Sequence, residues 1–110
     1  MLVNRNTGEV IAKSVFVAKT FWPRFKGLQF TKTIPPDFAY IITGCGSIHT
    51  CFMRFKLDAV FVDENWTVLK VHSGLKPFRV TNPVKDARAV IELKHRNLCI
   101  EPGHVLELIE

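Results

Sequence analysis

Few side chains in this 110-residue sequence come in numbers or spacings suited to specialised chemistry. Only three cysteines occur, Cys45, Cys51 and Cys99. Any intramolecular disulfide would leave one over, so we read all three as thiols of a reducing compartment. With His49 and His95 they form no knuckle of the two-cysteine kind, in which about two to four residues separate the ligands, so neither a metal nor a cofactor is expected. A long apolar run is also lacking. The stretch between Asp37 and Arg54 is uncharged but is broken by Thr43, Gly44, Cys45, Gly46, Ser47 and His49, short of the roughly 20 apolar residues of a spanning helix. The start, Met1-Leu2-Val3-Asn4-Arg5-Asn6, has no apolar core of about 7–15 residues such as a secretory leader carries. A cytoplasmic chain with no membrane partner is the expectation.

Acidic side chains are scarce in the first half. Residues 1–56 hold eight Lys or Arg and two Asp or Glu, whereas residues 57–110 hold seven and eight, for a net charge of +5. The hydrophobic share of 47% and the charged share of 23% exclude a disordered tail, a collagen-like repeat and a disulfide scaffold. The length suits a single domain spanning residues 1–110.

Asn4-Arg5-Asn6-Thr7-Gly8 is a turn cluster. The β-branched and aromatic run from Val10 to Val17 after it favours extended chain, which predicts an opening hairpin. Thr20 as cap, Pro23 in a first turn and Gly27 as terminator predict one short helix near residues 20–28. Its apolar face would carry Phe21, Phe25 and Leu28, with Arg24 beside that face. Ile34-Pro35-Pro36-Asp37 reads as a connection. Ala39–Ile42 is a strand, and the runs Leu57–Val62 and Thr67–His72 around Asp63-Glu64-Asn65-Trp66 form a β-hairpin. Ala89–Leu93 and Val105–Ile109 close the chain as strands. The fold class is therefore mostly β (α+β): about seven short strands in a small barrel-like or strongly curved antiparallel or mixed sheet, with one helix.

The segment Phe21-Trp22-Pro23-Arg24-Phe25-Lys26-Gly27-Leu28 and the longer run from Ile48 to Asp63 carry a pattern too particular to be generic. The pattern comprises Arg24, Gly27 and Leu28; His49, Thr50, Phe52, Met53, Phe55, Asp58 and Phe61; Pro77 and Phe78; and Glu92 with Leu93. In this order it resembles the prokaryotic family known as domain of unknown function one hundred and ninety-two. The resemblance implies a compact β-rich fold of this length and no particular activity. Cys51 stands where the family usually has an aromatic, and Lys94 to Gly103 looks shorter than the usual helix-bearing connection.

Asp58 interrupts an apolar strand, where an unpaired carboxylate is costly, so it needs a cation or several N–H donors. Arg24 could supply a bidentate fork. The plain reading is a structural ion pair. The functional one gathers Arg24, His49, Thr50 and Asp58 around a pocket for a small polar or anionic ligand or a protein partner, without catalysis. A Cys51–His49 nucleophile lacks an orienting third group. A hydrolase using His49 and Asp58 remains an alternative and names no further catalytic residue. So does a basic accessory protein contacting nucleic acid, since Lys13, Lys19, Arg24, Lys26, Lys32, Arg54 and Lys56 interleave with aromatics, although no recognition signature accompanies them. Glu92 reads as an outward position of an alternating strand, His72 and His104 as surface side chains, and Phe52, Met53, Phe55 and Phe61 as core.

Overall fold

The computed structural model describes residues 1–19, 34–44, 47, 55–96 and 98–109. Within them the chain forms eight strands: β1 (Leu2–Asn4), β2 (Val10–Ala12), β3 (Ser14–Ala18), β4 (Phe38–Thr43), β5 (Leu57–Val62), β6 (Val68–Leu75), β7 (Ala89–Lys94) and β8 (Leu106–Leu108). The helix expected near residues 20–28 lies outside the described residues.

Two sheets result, ordered β2-β1-β8 and β3-β4-β7-β5-β6. The opening hairpin forms as expected from β1 and β2, but the apolar run after Val10 divides at Lys13. Its second part, β3, joins the larger sheet, parallel to β4. A parallel pair needs a crossover of about a dozen residues, and the chain between Ala18 and Phe38 is long enough to provide one. The hairpin around Asp63–Trp66 also forms. There the Asp63 side chain accepts from the backbone N–H groups of Asn65 and Thr67, both at 2.9 Å, an Asx-type turn.

The barrel-like closure expected from the sequence is corrected. At one corner the pairing between the two sheets is limited to the isolated bridge Thr67↔Val105 and the backbone hydrogen bonds beside it, from the Leu106 N–H to the Trp66 carbonyl and from the Val68 N–H to the His104 carbonyl; at the other side β2 and β3 are joined by Lys13 alone. Neither corner carries a continuous strand ladder, so the two sheets remain distinct.

Alternation sorts the larger sheet into two apolar faces. Ala39, Ile41, Val60, Val62, Ile91 and Leu93 pack with Leu2, Ile11 and Leu106 of the smaller sheet. Tyr40, Ile42, Ala59, Phe61 and Val90 occupy the other face with Ala18 and Ile34. Because β7 is flanked by β4 and β5 and both its faces are covered, Glu92 is buried at 1% exposure. The outward reading of Glu92 is thereby overturned: strict alternation into solvent holds only where one face is wet. Glu92 lies opposite Tyr40 on β4. Burial, then the neighbouring Glu92 carboxylate, raises the Tyr40 phenol above its ordinary range.

His72 and His104 are not simple surface side chains either. The Nδ1 of His104 accepts from Asn4 Nδ2 at 3.0 Å and from the Glu101 N–H at 3.2 Å, and Asn4 is fully buried. His72 stacks edge-on against Phe61, with ring centroids 5.8 Å apart, and its Nε2 is buried without a hydrogen bond. Burial, then Lys70, lowers its pKa from the ordinary value. The unfolded chain therefore takes up a proton at His72 near pH 6.5, before the folded chain does, so acidification through that range favours unfolding. Urea unfolding at stepped pH should show wild type losing stability relative to His72→Leu as pH falls below about 6.5. A pH-independent difference between the two would contradict this.

Candidate functional site

Asp58 is the second residue of β5, a strand buried along its whole length. It is 4% exposed and shares its face with Val60 and Val62, so its charge must be met by donors. Three N–H groups do so. Oδ1 accepts from the Gly74 backbone N–H at 2.8 Å and from His95 Nδ1 at 2.7 Å, and Oδ2 accepts from the Arg96 N–H at 3.5 Å. Gly74 belongs to β6, whereas His95 and Arg96 follow directly after β7. One carboxylate thus joins the ends of three strands.

Each donor has a local cause. The pairing of β5 with β6 shifts register between Leu57 and Ala59, and nearby Gly74 has φ +68°, a left-handed conformation in which a bulged strand favours glycine. That twist presents the Gly74 N–H to Asp58. A Cβ at Gly74 would lie 3.5 Å from His95 Cε1, an ordinary contact, so the backbone closely covers one side of the imidazole. The His95 N–H donates to the Lys56 carbonyl at 3.3 Å, which continues the β5–β7 edge by one step. Arg96 reaches across to the smaller sheet, where its Nη2 donates to the Ile11 carbonyl.

With Nδ1 directed at Asp58, the Nε2 edge of His95 is turned away from it; the side chain is 37% exposed. An imidazole fixed in this way can accept from, or donate to, a ligand at Nε2, according to its protonation. Lysines gather at the same end of the sheet. Lys94 pairs with Leu57, Lys56 precedes Leu57, and Lys76 follows Leu75, the β6 partner of Leu57. Lys56 and Lys76 are exposed and Lys94 is half-buried.

Of the residues expected at the site, Asp58 is in place and buried. Arg24, His49 and Thr50 lie outside the described residues, as do Gly27, Leu28, Phe52, Met53, Cys45 and Cys51. Phe61 is fully buried and Phe55 packs at the margin of the second core face. Pro77 is half-buried, Cys99 is an exposed thiol, and Glu92 lies on the opposite face from Asp58. His95 and Gly74 were missed as partners of Asp58. Gly74 had a visible signal, a glycine inside a strand, which often marks a bulge or a close backbone approach. His95 had only its place in the basic triplet Lys94-His95-Arg96.

The sequence profile of a family described as an uncharacterized ACR, domain of unknown function 192, matches residues 2–108. The chain belongs to this family. An uncharacterised protein family 0127 member from Pyrococcus horikoshii is 34% identical over 98 residues, covering 84% of this chain and 82% of that protein. One from Thermococcus sibiricus is 31% identical over 96 residues, and the chain spans 62% of its length. A crystal structure of a protein of unknown function from Novosphingobium aromaticivorans superposes with a TM-score of 0.84 at 21% identity, over 97% of this chain and 82% of that one. That likeness shows the shared fold. Among the described residues no helix is long and apolar enough to cross a membrane.

Removing the carboxylate should expose its structural share. Asp58→Ala leaves the Gly74 and Arg96 N–H groups without an acceptor and should cost about 1–3 kcal/mol in urea unfolding; an unchanged midpoint would show that water replaces Asp58 freely. Gly74→Ala should cost about 1–2 kcal/mol through its left-handed backbone, with Gly74→Asn recovering part of that loss, since asparagine tolerates this region better.

Proposed function

We propose that this family member is a single-domain, non-enzymatic binding module of the cytoplasm that takes a small anionic ligand, of the phosphate or carboxylate class, at the end of the five-stranded sheet. The observation that carries the reading is the Asp58–His95 hydrogen bond of 2.7 Å, which directs Nδ1 inward and turns the other ring edge outward. Lys56, Lys76 and Lys94 surround that end with positive charge, which raises local anion concentration and lets a charge-assisted hydrogen bond form at Nε2. Arg24, His49 and Thr50 belong to this proposal on the strength of the sequence pattern. The buried, already satisfied Asp58 orients the imidazole and does not itself meet the ligand.

The same inward Nδ1 arrangement serves general-base histidines, so a hydrolase using His95 in place of His49 is the second reading. It requires turnover of an activated phosphate or carboxylate ester that is lost in His95→Gln. The binding reading requires none.

Titration with inorganic phosphate at low ionic strength, followed by the His95 imidazole resonances, should show saturable shifts. His95→Gln should weaken phosphate binding about tenfold or more, the equivalent of one hydrogen bond to a charged group. Failure of phosphate to shift the His95 ring, or equal affinity in the variant, would reject the site.

A further inference from the structure

The strands of the larger sheet run between two ends of opposite charge. At one end lie Lys56, Lys76, Lys94 and Arg96, and the Asp58 carboxylate at that end is buried. At the other, Asp63, Glu64, Asp86 and Arg88 line an open cleft of about 220 Å³. Roughly 20 Å of strand separates the ends, more than two Debye lengths at physiological salt, so a charged surface would act on each end separately. Directly beyond Lys76 the chain leaves the sheet as Pro77-Phe78-Arg79-Val80. Phe78 is 71% exposed and Val80 74%, the two most exposed of the large hydrophobic side chains among the described residues. Phe78 also adopts φ +63°, a conformation that costs a bulky residue about 1–2 kcal/mol and that no burial of its ring offsets. The Arg79 guanidinium donates to the Phe78 carbonyl at 3.4 Å, which keeps its charge beside the apolar tips.

We propose that this end of the sheet docks on an anionic lipid bilayer, with Phe78 and Val80 entering the headgroup boundary and Lys56, Lys76, Arg79 and Lys94 facing the acidic phosphates. Apolar tips within a cationic collar suit interfacial attachment, in which acyl contact and charge attraction add. Peripheral attachment needs no spanning segment, and the want of one was the ground for expecting no membrane partner. Single-stranded nucleic acid is less suited, because Val80 has no ring on which a base could stack. A dry protein interface of about 800 Å² per partner needs a broader apolar surface than two side chains ringed by charge. The inference goes beyond small-anion binding at His95: it shares Lys56, Lys76 and Lys94 with that reading but turns on Phe78 and Val80, which that reading does not use.

The test is co-sedimentation of the full chain with phosphatidylcholine vesicles, with and without phosphatidylglycerol. Binding should appear only with the anionic lipid and weaken as salt rises. Phe78→Asn with Val80→Ser, exposed substitutions of which the first also relieves the left-handed backbone, should reduce vesicle affinity about tenfold or more, and Lys76→Glu about fivefold or more. Both should leave circular dichroism unchanged, and the Phe78 and Val80 pair should leave the phosphate titration of His95 unchanged. Glu64→Lys at the opposite end should leave vesicle affinity unaltered. The proposal is overturned if wild type ignores anionic vesicles at low salt, or if the Phe78 and Val80 variant binds them equally well. It is also overturned if Glu64→Lys changes binding as much as Lys76→Glu does, or if a single-stranded oligonucleotide and not the vesicle proves to require Phe78.

Discussion

A carboxylate buried at the end of a sheet has to be met by hydrogen-bond donors, and meeting Asp58 organises one side of this molecule. Left alone at 4% exposure, the charge would oppose folding by several kcal/mol. Its donors come from three places that sequence distance keeps apart: a glycine in β6, and a histidine and a backbone N–H just past β7. Satisfying Asp58 therefore fixes the β5–β6 irregularity, the exit of β7 and the orientation of His95 together. Arg96 extends the connection to Ile11 in the smaller sheet, so the same corner also links the two layers.

The site chemistry follows from that constraint. The imidazole is held by its inner nitrogen, and its ring is covered on one side by the Gly74 backbone. The outer edge is turned away from Asp58 and is left to engage a ligand, in a field set by lysines that strand register brings to the same level. The opposite end, with its three carboxylates, gives the sheet a direction. The overall +5 conceals this division, because net charge counts side chains without placing them.

The hairpin around Asp63–Trp66 and the short strand at Ala39–Ile42 were legible because their signals are local: apolar runs bounded by turn residues. The need of Asp58 for donors was legible too, since a charge amid apolar strand residues rarely stands alone. The identity of its donors was not. His95 is 37 positions away, and a single sequence records nothing of which strand ends meet. Glu92 was misplaced for a related reason: its neighbours predict a strand, but only topology shows that β7 is central and covered on both faces. The barrel expectation failed at the corners, where Lys13 and the Thr67–Val105 bridge replace continuous pairing.

The most direct measurement of the Asp58–His95 link is a long-range proton–nitrogen spectrum of the imidazoles, recorded in mildly alkaline buffer. His95 should appear as the Nδ1–H tautomer with a slowly exchanging proton, and Asp58→Ala should abolish that protection. A His95 ring that is predominantly Nε2–H in the unaltered protein would contradict the orientation on which the site depends.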